Sequence, residues 1–422
     1  MGPVTVRLTE HEERLLRGEA GRGAQTSMRI VVEMAEICEA AALLEVSQAH
    51  IDGCGLLSDA GVEFAEKLVS EGARVAVPTT LNMGPLDLQQ WRSFGVDAHF
   101  ARKAIRQGAA YEKMGCVPTW TCAPYQGYLT PRFGAQIAWG ESNAVAYANS
   151  VLGARTNRYA DYMDICAAIV GRVPASGLHL AQNRRGQVVL NLPEVNPVPE
   201  FYPVLGHFVG GRAGDRVPVV AGLRAAPNDD ELKAFCAAVA SAGSVALFHI
   251  VGVTPEAPTL EAALQGAEPE EVVDVTRDDL LLSFRDLSSA EAGTPLDCVI
   301  VGCPHYSYHE FRALATLIER HAGVCSPNVA FIVATGQQSY SLVQRQPELL
   351  KTLTGFGARI TLDTCAFHSP IVRKGTRTVM TDSGKCAYYA PGELGVQLAF
   401  GTMAECVASA ILGKVVREEP KW

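Results

Sequence analysis

The chain has 422 residues, 48% of them hydrophobic and 19% charged, which suits large buried cores and excludes the polar, highly charged composition of a disordered chain. A formal net charge of −9 at pH 7 argues against a nucleic-acid binder, which would carry a basic stripe. Twelve cysteines are too sparse in a chain of this length for a secreted disulfide scaffold.

The N-terminal MGPVTVRLTEHEERLLRGEAG is charged and lacks the apolar core of a signal peptide, which predicts a cytoplasmic protein with reduced thiols. Strand-like LLEV then runs into SQAHIDGCGL (47–56), where His50 and Asp52 stand beside Gly53-Cys54-Gly55. Paired glycines let a backbone approach a ligand closely, and His50 with Asp52 equally suits a structural hydrogen bond. A helix is predicted over 57–71 and a strand over 73–80 (ARVAVPTT), which leads into the polar turn Leu81-Asn82-Met83-Gly84. Cys122 ends the next apolar run, TWTC. Strand-like AQIAW follows, and Gly140-Glu141-Ser142-Asn143 closes it and opens a helix. An N-cap accounts for Ser142, but it accounts less well for Glu141, Asn143, Asn149, Ser150, Arg155 and Thr156 crowded into one segment. Because a helix N-terminus suits a carboxylate or phosphate, Glu141–Asn143 are candidates for an anionic substrate.

Residues 183–206 turn Pro-rich and read as a crossing between lobes. Residues 234–255 carry no acidic or basic side chain apart from His249, yet Gly243 divides them into helix-like AFCAAVASAG and strand-like SVALFHIVGV. They predict a buried helix–strand pair rather than a membrane span, with the helix over 229–242 and the strand over 244–251. The acidic stretch 266–280 reads as a solvated connection. Further strands are expected over 298–303, 328–335 and 358–364, and helices over 308–322 and 394–412. Cys303 ends CVIVGC and Cys365 follows ARITLDT. In TDSGKCAYYAPGELG (381–395), Ser383-Gly384-Lys385 offers a hydroxyl, a flexible turn and an ammonium but lacks the upstream glycines of a phosphate loop. Lys385 is therefore a candidate clamp for a substrate carboxylate. Cys38, Cys166, Cys236 and Cys406 read as core filler, Cys298 as a strand start, and Cys116, Cys325 and Cys386 as turn residues.

Alternation of continuous apolar strands with helices predicts an α/β protein with parallel sheets covered on both faces. Two lobes are expected, over about 1–190 and 205–392, with 393–422 a C-terminal helix packing back. Strand ends are where such folds place their chemistry, and thiolates are soft ligands for iron–sulfur clusters and zinc. Cys122, Cys303 and Cys365 belong to no CxxC pair, so only folding could unite them. A zinc or redox thiol protein and a non-catalytic scaffold subunit are the rival readings.

In order, HIDG, TTLN, TCAPYQ, WGESNAVAYANSVLGARTN, GCPH, DTC and SGKCAYYAPG resemble the catalytic region of aconitase X, over nearly the whole chain. The resemblance implies an aconitase-like multi-lobed fold and a hydro-lyase whose iron–sulfur cluster sits on three cysteines, here Cys122, Cys303 and Cys365. It implies that Gly53, Cys54, Gly55, Asn82, Met83, Glu141, Ser142 and Lys385 hold the substrate, with Asn143 beside them. Glu141 and Ser142 would stand near the reacting carbons and Lys385 at the anion. The family's substrates are cis-3-hydroxy-L-proline and mevalonate 5-phosphate. Its archaeal branch has proline where Met83 stands and a Cys-rich turn in place of Thr119-Trp120-Thr121, which tilts this chain to the hydroxyproline. The family also uses a small swivelling domain, fused or separate. The catalytic-type motifs fill about 50–392, so the chain resembles a large subunit that works with a separate small swivel-domain subunit.

Overall fold

The computed structural model describes residues 5–56, 58–420 and 422. They form two compact units, one taking in residues up to 85, 97–185 and 254–256, the other residues 86–96, 186–253 and 257–422.

The first unit is built on very short strands: β1 (Leu43–Glu45), β2 (Ala49–Ile51), β3 (Thr79–Leu81), β4 (Ala138–Trp139) and β5 (Arg172–Pro174). Strand β2 lies between β3 and β4 and runs parallel to both, with His50 opposite Thr80 on one side and Trp139 on the other. Strands β1 and β5 form a separate antiparallel pair. Ala49, His50 and Ile51 are all fully buried, as expected of a strand covered on both faces. The helices Arg22–Ile37 and Met163–Val170 share a core in which Met28 and Val31 meet Ile165, Cys166 and Ile169.

The second unit contains two all-parallel sheets. The first comprises β6 (Val188–Asn191), β7 (Pro218–Ala221), β8 (His249–Ile250) and β9 (Glu271–Asp274), in the order β8-β7-β6-β9. The second comprises β10 (Cys298–Val301), β11 (Ala330–Thr335), β12 (Ala358–Leu362), β13 (Thr378–Thr381) and β14 (Gln397–Phe400), in the order β12-β11-β10-β13-β14. The central strand β10 is buried at every residue. The helix Tyr308–His321 shows how the sequence sets one of the crossovers. Ser307 and Glu310 form a reciprocal capping box at its start, and Phe311, Leu314, Ala315 and Ile318 recur at helical spacing on its buried face. Burying each of the larger side chains contributes about 1.5–3 kcal/mol.

Several elements differ from what the sequence pattern predicts. Of 73–80 only Thr79 and Thr80 join a strand, and β3 extends to Leu81; Pro78 lacks the N–H a ladder needs. The stretch 244–251 pairs only at His249–Ile250. The expected helix 394–412 is a strand, β14, followed by the helix Met403–Leu412. Gly395, in the left-handed region at φ 65, ends the preceding helix and frees QLAF to join the sheet edge. The acidic stretch 266–280 includes β9, whose exposure alternates along an edge position, and 183–206 includes β6 and the start of the helix Phe201–Ala213. The helix expected over 57–71 spans Asp59–Ser70, and residue 57 lies outside the described residues. Among the described residues no helix is long and apolar enough to cross a membrane.

Candidate active site

In the first unit, three parallel strands deliver their C-terminal ends to one edge. Residues Asp52 and Gly53 follow β2, Asn82 and Met83 follow β3, and Gly140, Glu141 and Ser142 follow β4. Glu141 caps the helix Ser142–Ser150: its Oε2 accepts the Ala144 N–H at 2.6 Å, and its Oε1 accepts the Ser142 hydroxyl at 3.2 Å. The carboxylate itself, rather than Ser142, is the cap. Every residue of this helix is buried. Asn143 donates from Nδ2 to the Cys122 carbonyl at 2.9 Å and accepts the Tyr125 hydroxyl at 3.2 Å. Cys122 is thereby held against the helix start. It does not end a strand as the sequence pattern predicts: residues 118–121 form no strand, although the Thr119 hydroxyl at 2.8 Å and the Thr121 N–H at 3.3 Å both reach the Leu81 carbonyl.

The HIDG turn is fastened from behind. Asp164 Oδ2 accepts the N–H groups of Asp52 at 2.6 Å and Gly53 at 3.1 Å, and the Gly53 carbonyl accepts from Gln107 and Tyr111, each at 2.9 Å. Gly53 allows close approach to the protein's own Tyr111 and Tyr162, since a Cβ there would lie 3.3 Å from the Tyr111 hydroxyl. The Cys54 side chain is fully buried in the core and donates to the Ile51 carbonyl at 3.3 Å. Burial pushes its thiol well above the ordinary value, so any contact this residue makes with a substrate is through its backbone. Asn82 donates to Asp52, and its Oδ1 is buried with no hydrogen-bond partner. Met83 is half-buried and Gly55 lies between Cys54 and Leu56 at the rim of the same turn. Asp164 escapes sequence reasoning; its signal is a single carboxylate in the otherwise apolar helix MDICAAIV.

Burial pulls His50 down to about 4, against the Glu141 carboxylate and the Thr121 backbone, which act to raise it; its Nδ1 is bonded to the Thr80 hydroxyl at 2.8 Å. Asp164 goes the other way, pushed up to about 7 by burial against the three backbone N–H groups it accepts. A histidine with a depressed folded pKa stabilises the fold above its ordinary value near 6.5 and loses that contribution as pH falls through its folded value. Subtracting the unfolding free energy of His50→Gln from that of the wild type removes the opposite titration of Asp164. The difference is expected to be flat above neutrality and to fall by roughly 3 kcal/mol as the pH drops to about 4. Urea titrations at several pH values measure it, and parallel curves for the two proteins would refute the assignment.

The second unit repeats the design at the C-terminal edge of its five-stranded sheet. Cys303 follows β10, Cys365 follows β12, and Ser383-Gly384-Lys385 follows β13. Gly302, at φ +89, starts the first of these loops; a Cβ there would lie 2.1 Å from the Ala334 carbonyl, so only glycine lets the chain leave β10 against β11. His305 Nε2 is bonded to the Thr364 carbonyl at 2.9 Å, which joins the Cys303 loop to the residue before Cys365. The Ser383 hydroxyl donates to the Cys303 carbonyl and also caps the helix Gly384–Leu394. Ser383-Gly384-Lys385 is thus a helix start rather than a flexible turn. Cys386, expected in a turn, is a fully buried residue of that helix, with its thiol pushed up by burial.

A cavity of about 750 Å³ opens beside this edge, with Cys303, Ser383, Lys233 and Asp382 among its walls. The Lys233 ammonium is 1% exposed and contacts Asp230 and Glu310. Burial opposes its charge, but the two carboxylates outweigh that and hold its pKa above the ordinary lysine value.

None of the twelve cysteines forms a disulfide. Cys122, Cys303 and Cys365 are half-buried at loop tips, whereas Cys54, Cys116, Cys166, Cys236, Cys298, Cys386 and Cys406 are enclosed. Among the described residues no group of three His, Cys, Asp or Glu side chains within metal-binding reach occurs. Cys122 belongs to the first unit and Cys303 and Cys365 to the second. The donor chemistry fits a thiolate-ligated cluster: three accessible, unoxidised sulfurs, each on a loop fixed by its own hydrogen bonds.

Comparison with known proteins gives the family. Residues 5–182 match the aconitase X first domain, 186–284 the second and 296–412 the third. The chain is 43% identical over 420 residues to cis-3-hydroxy-L-proline dehydratase of Pseudomonas aeruginosa, covering 99% of this chain and 72% of that protein. It is 36% identical over 404 residues to the phosphomevalonate dehydratase large subunit of Methanothermobacter thermautotrophicus, covering 94% and 97%. The crystal structure of Thermococcus kodakaraensis aconitase X in its holo form superposes with a TM-score of 0.87 at 31% identity, covering 96% of this chain and 100% of that one. With both units matched end to end by relatives that are dehydratases, the chain belongs to the aconitase X family and is a carbon–oxygen lyase.

Proposed function

We propose that this chain removes water from cis-3-hydroxy-L-proline, using an iron–sulfur cluster held by Cys122, Cys303 and Cys365, and that it acts in the cytoplasm with a separate small subunit. The observation that carries the substrate is identity: 43% and 42% to two cis-3-hydroxy-L-proline dehydratases, against 36% to the phosphomevalonate dehydratase large subunits of two archaea. The small subunit is supported by name: the two archaeal relatives are called phosphomevalonate dehydratase large subunits. The chain spans 72% and 69% of the proline dehydratases and 97% and 98% of those large subunits. Those large subunits supply mevalonate 5-phosphate as the second reading.

Dehydration of this substrate takes the proton from the carbon bearing the carboxylate and releases the 3-hydroxyl as water, leaving an enamine that tautomerises to Δ1-pyrroline-2-carboxylate. When bound, the cluster would supply a Lewis-acidic iron that makes hydroxide a better leaving group. The chain's own residues supply the rest. Lys385 clamps the substrate carboxylate, and Asn82 and the Gly53–Gly55 backbone, with Met83, form the wall that orients the ring. Glu141 and Ser142, already hydrogen-bonded to each other, move the proton at the reacting carbon. Asn143 keeps Cys122 at the start of the same helix.

The test is a dehydration assay on the reconstituted chain, with and without the part of the Pseudomonas relative that this chain does not match, supplied as a separate polypeptide. Turnover of cis-3-hydroxy-L-proline, strongly dependent on that polypeptide, is expected. Preference for mevalonate 5-phosphate would overturn the substrate, and full turnover by the chain alone would overturn the partner.

A further inference from the structure

We propose that Lys233 is a positioning residue for the Cys303 turn: its buried ammonium clamps the His305 carbonyl and so holds Cys303 and Cys365 ready for metal. The inference rests on the reading of Cys303 as a cluster ligand.

Lys233 lies on the helix Asp229–Ala242 and is 1% exposed. Its Nζ donates to the His305 carbonyl at 3.2 Å and contacts Asp230 at 3.1 Å, with Glu310 completing the set. The same two carboxylates grip Ser307, two residues further along the turn. Asp230 accepts the Ser307 hydroxyl at 2.8 Å, and Glu310 accepts the Ser307 N–H at 2.7 Å. The far side of the turn is held as firmly. Tyr306 donates its N–H to Ala334 at 3.0 Å and accepts the Thr335 hydroxyl at 2.8 Å, while Ser383 grips the Cys303 carbonyl. The His305 ring then reaches the Thr364 carbonyl next to Cys365. The Cys303 and His305 carbonyls, the N–H and carbonyl of Tyr306 and the Ser307 N–H are thus all held, and the His305 ring transmits their placement to the second thiol.

A buried ion pair is a poor way to gain stability, because desolvation takes back most of the Coulombic attraction. An apolar side chain would join the helices Asp229–Ala242 and Tyr308–His321 equally well. What an apolar side chain lacks is a third bond, and here that bond goes to the backbone two residues from Cys303. Groups that fix ligand-bearing segments typically change metal affinity by about 10–100-fold when removed.

Two variants test this, Lys233→Met and the neutral triple variant Asp230→Asn/Lys233→Met/Glu310→Gln. The triple variant leaves no unpaired buried charge and so keeps the fold if the single variant does not. In the cluster-free full chain, mass spectrometry follows the alkylation of each cysteine by iodoacetamide. In the reconstituted chain, iron and sulfide are counted after exposure to a chelator. We expect alkylation of Cys303 and Cys365 to change by at least about tenfold, with Cys325 and Cys298 of the same unit unchanged, and iron to be lost about 10–100-fold faster. A purely structural role would speed Cys298 and Cys325 as well, which overturns the proposal, as does a folded triple variant with wild-type alkylation and iron retention. Cys303→Ala separates the two levels. If that variant keeps its iron, the ligand reading fails, while the alkylation of Lys233→Met and of the triple variant still decides whether the clamp exists.

Discussion

Replacing any one of Cys122, Cys303 and Cys365 by alanine is expected to strip iron and sulfide from the purified protein and to lower turnover by on the order of a thousandfold. Two thiolates cannot hold what three hold, and the lost Lewis acidity is worth several kcal/mol of charge stabilisation on the departing hydroxide. Cys386→Ala is the matched control. Cys386 is fully buried in the helix that starts at Gly384 and lies close enough to Cys365 to feel its charge. Its loss opens a small cavity and lowers the melting temperature, with iron retained. The discriminating measurement is iron and sulfide per chain, taken before any assay. Wild-type iron in all three variants would leave the cysteines as ordinary loop thiols and end the cluster reading. Zinc in place of iron and sulfide, in protein reconstituted without oxygen, would point instead to a structural thiol site.

The parts of this site that were readable in advance are those that local chemistry dictates. Gly140-Glu141-Ser142-Asn143 marks a strand-to-helix junction because a polar cap follows an apolar run, and the junction lies where expected. Cys303 follows β10, whose continuous apolar CVIV announces a buried parallel strand, and Cys365 follows β12, an apolar run broken only by Arg359 and Thr361. Cys122 is the exception, because TWTC looks like a strand but forms none, with Thr119 and Thr121 both bonded to the Leu81 carbonyl. The groups that fasten the loops were not legible. Asp164 is 112 residues from Asp52, Lys233 is 72 from His305, and His305 is 59 from Thr364. No periodicity encodes such pairings; only the parallel topology, which returns distant strand ends to one edge, brings them together. Strands β3 and β8 are short but buried at every residue. Each contributes just enough ladder to aim its C-terminal turn, and their buried residues gain from packing rather than from strand length.

Glu141 carries the other large effect, and its double duty makes the prediction sharp. Its Oε2 accepts the Ala144 N–H at 2.6 Å, so the carboxylate caps a fully buried helix while serving as the candidate proton carrier at the reacting carbon. Glu141→Gln keeps an acceptor oxygen for Ala144 and preserves side-chain length. It is expected to retain the wild-type melting temperature within a few degrees and to lower kcat by about 10²–10⁴-fold, the range of a lost general base. Glu141→Ala removes the cap as well and adds about 0.5–2 kcal/mol of destabilisation. If Glu141 only caps the helix, the two variants exchange character: Glu141→Gln is then fully active, and Glu141→Ala loses activity only in proportion to its lost stability. Lys385→Met reports the opposite signature, since an anion clamp that binds ground and transition states alike raises KM with little change in kcat. Finding the KM effect at Glu141 and the kcat effect at Lys385 would exchange the two roles. That outcome would also move the reacting carbon from the helix start at Ser142 to the helix start at Gly384.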